Sequence, residues 1–291
     1  MARILSGRYG FIVWEEQTGR DGQLPASPSW KALGIVRDVS VRVPAGTTLL
    51  RSVGSLAAAG IVVAETALDA PEVTVTIEGV GVATKDLLLR AKQRPANDPT
   101  YPNELPLISV VFGRENDAFR LVDAKISRLD ITAAADRYVT ATVTFMGRFI
   151  ESYTKPATMP DIPTQIFTSK EGIFDYGEVA EARINIAHRI DARHTIKPQA
   201  SDRTVDHLVE TVTEITGTAE LFWSTAIADF KNNVLDEIST MSLTFTDWAT
   251  SSQTMSITLS KVKPRDATLR IPVEREITVT LDFFATDFSI T

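Results

Sequence analysis

A two-residue alternation of apolar and polar side chains recurs along this chain and constrains its fold more than any other feature. One side of each run carries valine, isoleucine, leucine or phenylalanine, and the other carries threonine, serine or charge. That pattern is typical of antiparallel strands with one buried face. We therefore predict a mainly β protein. The clearest runs are residues 39–43, 73–78, 139–145, 256–262 and 277–283.

Two short helices are predicted against this background. Residues 84–92 place Leu87, Leu88 and Ala91 on one side, and residues 225–234 do the same with apolar side chains that include Ile227 and Phe230. Each helix follows a predicted strand and precedes a loop that leads into another strand. The shared position suggests an internal repeat.

The two halves of the chain show the same order of elements: strand, long irregular segment, strand, helix and further strands. Residues 36–43 open the first half and 179–186 the second. Local matches pair 107–112 with 240–245, and 124–127 with 260–263. The alternative is that two β-rich halves look alike because valine–threonine alternation is common.

We predict two similar antiparallel β-sandwich or barrel domains, each with one flanking short α-helix. The first spans residues 1–150 and the second 167–291. Three prolines between residues 155 and 163 indicate an extended linker over 151–166.

Three segments are too long for simple turns: 44–71, 93–106 and the region 149–167. Long ordered loops on a β domain are usually functional surfaces or partner-binding arms. We expect these segments to contact neighbouring subunits, because they carry apolar side chains that an isolated domain would expose. The candidate contact residues are Leu49, Leu50, Leu56, Ile61, Val62 and Tyr101.

Composition excludes several kinds of site. The 291 residues include no cysteine, which excludes disulfides, thiolate zinc sites and a cysteine nucleophile. The formal net charge of −7 disfavours binding a phosphate backbone over the whole surface. A basic run over 183–203 suits contact with an acidic neighbouring subunit better than nucleic acid. No apolar stretch is long enough for a signal peptide or a membrane span.

Motifs for catalysis and metal binding are also lacking. The three histidines, including His188, do not have metal-ligand spacing, and we expect His188 to point outward from a strand. Residues 79–82 (Gly-Val-Gly-Val) indicate a strand-to-helix turn rather than a phosphate loop. We therefore predict no catalytic residue, no metal and no cofactor. The many carboxylates are interpreted as a solvated acidic surface, and a glycosidase pair among them is the alternative.

The element order resembles that of the tail tube (major tail) proteins of long-tailed bacteriophages. The resemblance also rests on residues 121–131 and on 139–147, which close with Phe145-Met146-Gly147. The second half departs from this pattern, because Ala285 stands where the glycine would follow Phe284.

The resemblance implies a structural, non-enzymatic subunit of the virion tail, assembled in the host cytoplasm. Such subunits form rings that stack into a tube, meet other tail proteins at its ends, and let viral DNA pass without specific binding. Six domains surround the channel, so a chain with two domains implies three chains per ring. Six chains are the alternative, with the second domains projecting outward. The candidate lumen-facing residues are Thr74, Thr76, Glu78, Thr216, Thr218 and Glu220.

Two other functions fit the same residues. One is a ligand- or carbohydrate-binding β-sandwich module of a virion or cell surface. The other is a hydrolase whose carboxylates come from distant parts of the sequence.

Overall fold

The computed structural model describes residues 10–44, 47–51, 61–65, 69–94, 104–114, 117–135, 137–161, 165–174, 177–193, 205–222, 238–247, 253–271 and 277–291. The first half forms β1 (Gly10–Glu16), β2 (Lys31–Ala32), β3 (Ile35–Arg42), β4 (Thr47–Arg51), β5 (Ile61–Glu65), β6 (Glu72–Gly79), helix α1 (Val82–Leu88), β7 (Ile108–Arg114), β8 (Asp117–Ala134), β9 (Thr140–Met146) and β10 (Phe149–Thr154). The second half forms β11 (Phe167–Phe174), β12 (Gly177–Arg193), β13 (His207–Phe222), β14 (Ile238–Asp247), β15 (Thr254–Arg270), β16 (Thr278–Ala285) and β17 (Asp287–Ile290). The predicted mainly β class is confirmed.

One antiparallel sheet runs through both halves, and we call it the shared sheet. Its strand order is β3-β6-β9-β8-β12-β13-β16-β15. The first half supplies the first four strands and the second half supplies the last four. The halves meet where β8 pairs with β12, from Arg128 opposite Ala187 to Ala134 opposite Glu181.

The long strands β8 and β15 each belong to two layers. Their C-terminal parts lie in the shared sheet, whereas their N-terminal parts pair with β7 and β10 and with β14 and β17. The layer change coincides with a residue in the left-handed region: Asp123 at φ 49° in β8 and Lys261 at φ 50° in β15. This conformation is uncommon for residues other than glycine. A local kink therefore turns each strand from one layer into the other.

The pairing irregularities of the two halves correspond. The β8–β9 register shifts between Ile126 and Arg128, and the β15–β16 register shifts between Pro264 and Asp266. The same number of residues separates Ile126 from Pro264 as separates Asp123 from Lys261. Lys125 of β8 therefore corresponds to Lys263, whereas the local sequence match paired it with Lys261.

A second irregularity repeats near the start of each half. The β3–β6 register shifts between Val36 and Asp38, and the β12–β13 register shifts between Val179 and Glu181. These pairs occupy the same places in the matched segments 36–43 and 179–186. Matching bulges support the predicted duplication, since bulges are specific features of a fold rather than defects. The duplication and its domain boundaries stay predictions.

The apolar side of the shared sheet faces the core. Val73, Val75 and Ile77 of β6 are buried, and they alternate with the less buried Thr74 and Thr76. Apolar residues of the predicted strands and of the first predicted helix are buried, including Leu87, Leu88, Phe112, Ile126, Val143, Phe145, Phe245, Leu259, Leu281 and Phe283. Ile227 and Phe230, with the whole predicted helix 225–234, lie outside the described residues.

The first predicted helix is confirmed as α1, followed by a 3-10 turn at Leu89–Ala91. Residues 79–82 make the strand-to-helix turn that the sequence indicated. The Gly81 N–H donates to Thr84 Oγ1 at 3.0 Å, and the Thr84 hydroxyl donates to the Leu33 carbonyl at 2.7 Å. The hydroxyl thus fixes the start of the helix against the β2–β3 connection.

Two of the expected long segments contain regular structure. The segment 44–71 is not wholly irregular, because β4 and β5 pair as a hairpin that places Leu49 opposite Val63 and Leu50 opposite Val62. The first residues of the predicted linker region form β10, which pairs with β8. The linker then ends against the first half, where the Phe167 N–H donates to the Val80 carbonyl at 2.8 Å.

Candidate functional site

The six candidate lumen residues lie on one face of the shared sheet, which we call the polar face. On β6, Thr74 and Thr76 lie opposite Thr144 and Thr142 of β9. The pairing continues through β8 and β12 to β13, which carries Thr216, Thr218 and Glu220 on the same side. The sheet therefore brings together residues that are far apart in sequence.

Side chains on the polar face bond across strands. Thr74 and Thr144 are joined by their hydroxyls at 3.2 Å, and the Thr218 hydroxyl donates to Asp282 Oδ1 at 2.9 Å. At the junction of the two halves, the Asn185 amide donates to Asp130 Oδ1 at 2.5 Å. Short polar side chains are thus bonded to one another across the strands of this face. Residues lining a shallow concavity here include Asp130, Thr132, Thr142, Arg183, Asn185, Thr216, Thr218 and Asp282.

The charges on this face leave an acidic surplus at several positions. Three arginines pair with neighbouring carboxylates: Arg42 with Glu72, Arg128 with Asp130 and Arg183 with Glu181. Among the described residues, no lysine or arginine forms an ion pair with Glu78, Glu220 or Asp282. Carboxylates without a cationic partner disfavour the approach of phosphate groups.

A buried ion pair between β8 and β13 joins the two halves of the chain. Lys125 of β8 is 2% exposed, and its Nζ lies 2.7 Å from Glu210 Oε1 of β13. Lys125 Nζ also donates to the Leu208 carbonyl at 3.1 Å, and Glu210 Oε1 accepts the Leu105 N–H at 2.9 Å. Lys125 Nζ also lies 3.5 Å from Glu104 Oε2. Removing Lys125 would leave the Glu210 carboxylate buried without a cation, so the pair stabilises the position of β13 against β8.

A second charged cluster forms around the kink in β8. The Asp123 carboxylate accepts the backbone N–H groups of Asp21 at 3.0 Å and Gly22 at 2.9 Å. Arg148 Nη1 contacts Asp123 at 2.7 Å and Asp21 at 2.5 Å. Burial lowers the pKa of Arg148, but hydrogen bonds to Asp21 and Asp123 outweigh it, and the pKa is raised above its usual value.

Sequence reasoning did not assign a role to either cluster. The available signal was a charged side chain within the otherwise alternating segment 121–131, where Asp123 and Lys125 interrupt the apolar face. Such a residue needs a partner that only the fold supplies.

The outward position expected for His188 is wrong. The imidazole is buried against the turn after α1, where its Nε2 donates to the Ala91 carbonyl at 2.7 Å. Its Nδ1 therefore accepts from the Thr213 hydroxyl at 2.9 Å. Burial lowers the pKa of His188 below 6.5, against smaller opposing effects of Ala91 and Glu210. The histidine belongs to a polar network between the two halves.

The candidate contact residues lie mostly on one arm. Leu49 and Leu50 are in β4, and Ile61 and Val62 are in β5. Leu56 and Tyr101 lie outside the described residues.

The described ranges contain no group of three or more His, Cys, Asp or Glu side chains arranged to hold a metal ion. In the same part of the chain, no helix has the length and apolar character needed to cross a membrane.

Comparison with known proteins gives one result that covers most of the chain. No curated protein sequence matches this chain. Residues 63–285 match a family model described as phage tail tube protein, a region from β5 to the end of β16. The resemblance found in the element order is confirmed. This chain therefore belongs to the phage tail tube protein family, whose members are structural components of the virion tail.

Proposed function

We propose that copies of this chain assemble into rings that stack into the tail tube, with the polar face of the shared sheet lining the channel. The observation that carries this proposal is that both halves contribute four strands each to one antiparallel sheet with a single polar face. Because the opposite face is buried in the core, the polar face is the one available to enclose a channel.

The chemistry of the polar face suits a wall along which DNA slides. Threonine hydroxyls and an amide are bonded to neighbouring side chains, and arginines on this face pair with adjacent carboxylates. Glu78, Glu220 and Asp282 give the wall a negative potential that keeps phosphates from binding. Viral DNA passes without specific contacts, and the subunit has no enzymatic role.

The arrangement of the halves supports a ring of three chains. The β8–β12 pairing sets the two halves side by side, so each supplies an equal arc of sheet. If six such arcs close the channel, as the resemblance implies, three chains suffice. In the six-chain alternative the second half would project outward, and its direct continuation of the first half's sheet weighs against that arrangement.

Arms at corresponding places in the two halves are suited to contacts between stacked rings. The β4–β5 hairpin lies between β3 and β6 in the sequence. At the equivalent position of the second half, β12 and β13 pair beyond the β8 junction, through residues 188–193 and 207–213. We assign inter-ring contacts to Leu49, Leu50, Leu56, Ile61, Val62 and Tyr101. Deletion of residues 48–59 is then expected to leave a folded subunit, by circular dichroism, that forms no stacked tubes.

The direct test is cryo-electron microscopy of the purified chain. We expect hollow tubes with threefold rings and sixfold pseudosymmetry. True sixfold rings would contradict the three-chain ring but not the tube. A chain that stays monomeric and binds glycans on an array would instead favour a carbohydrate-binding module. At the tube ends, other tail proteins complete the virion tail assembled in the host cytoplasm.

A further inference from the structure

The shared sheet has two free edges, and each corresponds to one of the two strands that pair at the internal β8–β12 junction. One edge is β3, which pairs only with β6 among the described residues. The other is the C-terminal part of β15, which pairs there only with β16. Matching bulges make β3 the counterpart of β12, and this part of β15 the counterpart of the C-terminal part of β8. Since β8 and β12 pair with each other, the two free edges are complementary.

Both free edges expose apolar side chains. Val41 is 40% and Val43 66% exposed at the β3 edge. Leu269 is 44% and Ile271 69% exposed at the β15 edge. Exposed apolar residues beside unpaired backbone N–H and C=O groups form a template for adding another strand. A second copy of this chain carries the matching edge.

The internal junction shows how such a contact is packed. Ile131 of β8 lies opposite Ile184 of β12, and Leu129 lies opposite Ile186. All four side chains are buried. On the other face, Asn185 bonds Asp130. Apolar pairs thus close the core side of the junction, and a polar pair closes the side of the polar face.

We infer that neighbouring copies join head to tail by antiparallel pairing of β3 with residues 266–271, in the register of the internal β8–β12 junction. Transferring that register places Val41 opposite Leu269, Val39 opposite Ile271 and Val43 opposite Ala267 of the next copy. The inference rests on the proposed ring and specifies its subunit interface. The contact is heterologous, because one copy uses β3 and its neighbour uses β15.

The side-chain directions agree with this register. Within the chain, Val41 lies opposite the buried Val73, and Leu269 lies opposite the buried Val279. Both therefore point to the core side of their own sheet edge. Pairing them continues one apolar layer from subunit to subunit, as Ile131 and Ile184 do across the internal junction.

Because the chain has no cysteine, disulfide trapping tests the register without background. The test variant is Val41→Cys with Leu269→Cys, assembled into tubes, oxidised and run on a non-reducing gel. Directly opposed antiparallel residues lie within disulfide reach. We expect covalent oligomers of assembled subunits. The matched control is Val43→Cys with Ile271→Cys, which uses the same face and edges but is displaced by four residues, about 13 Å along the strand.

Single variants guard against poor assembly of the double variant. Val41→Cys and Leu269→Cys chains are mixed before assembly, and only the mixture is expected to give a covalent dimer. Tubes that cross-link through the control pair, or show only monomer for Val41 and Leu269, would overturn the register while leaving the proposed tube intact. Failure of the native chain to form tubes would overturn the proposed function and this interface together.

Discussion

Asp123 and Lys261 occupy the same place in the two long strands and share the same left-handed backbone, with φ 49° and 50°. Their side chains differ completely in surroundings. Asp123 is buried among backbone N–H groups and Arg148, whereas Lys261 is exposed. The kink is therefore set by the strand's change of layer, and Asp123 additionally serves as an anchor for the segment around Asp21.

The pair provides a matched stability test. Asparagine tolerates the left-handed region, so Asp123→Asn keeps the backbone but removes the charge that pairs with Arg148. Breaking a buried ion pair costs about 3 kcal/mol of unfolding free energy. Lys261→Asn is expected to change it by less than about 0.5 kcal/mol. Urea unfolding of both variants measures their free energies of unfolding. Equal effects would show that the charge of Asp123 adds no stability.

The buried pair between the halves should stabilise far more than an exposed one. Lys125→Met leaves the Glu210 carboxylate buried without its cation and is expected to cost about 3–5 kcal/mol. Arg128→Met, which removes the exposed partner of Asp130, should cost no more than about 1 kcal/mol. Chemical denaturation gives both values. A small loss for Lys125→Met would mean that β13 is held to β8 by other contacts.

The two halves should respond alike when equivalent core residues are truncated. Phe145 and Phe283 are buried at corresponding positions of β9 and β16, and replacing either with alanine is expected to cost about 3–5 kcal/mol. Phe284→Ala, next to Phe283 but on the exposed side, should cost clearly less. Thermal unfolding compares the three variants. A tolerated Phe145→Ala or Phe283→Ala would contradict the assigned strand faces.

Stability should fall as the pH drops below 6.5 because of His188. Its folded pKa is lowered by burial, whereas the unfolded chain titrates near 6.5. Below pH 6.5 the unfolded state binds a proton at His188 that the folded state does not bind. The contribution of His188 to folding stability is therefore complete above pH 6.5 and is lost as the pH falls toward the folded pKa. His188→Gln should weaken that pH dependence.

The control for His188 is His207→Gln, which removes an exposed imidazole. Melting temperatures at pH 7.5 and 5.0 give the comparison. If the native chain and His188→Gln lose the same stability between these values, proton uptake by His188 is not the cause.

Charge reversal on the polar face should make the wall of the tube bind DNA. Tubes with Glu78→Lys and Glu220→Lys are expected to retain short duplex DNA at low salt and release it above about 200 mM salt, because lysine–phosphate contacts release counterions. Tubes with Asp117→Lys and Asp161→Lys carry the same charge change at exposed positions away from that face. Fluorescence anisotropy compares them, and equal retention by the two would place Glu78 and Glu220 outside the lumen.

The alternation along the chain determined the strands and their buried sides. Val73, Val75 and Ile77 are buried because every second residue of a strand faces the same way, a rule that needs no tertiary information. The helix at Leu87 and Leu88 and the turn at Gly81 were predicted for similarly local reasons. The order of these elements, together with residues 121–131 and 139–147, also indicated the family.

Tertiary structure decided which strands pair and which side chains contact their buried residues. The β8–β12 pairing, the burial of Lys125 against Glu210 and the inward turn of His188 depend on contacts between residues far apart in sequence. Alternation assigns a side chain to a face, but it cannot tell which neighbour covers that face. A charged residue on an apolar side is stable only when the fold supplies its partner, and that partner is fixed by pairing register rather than by local sequence.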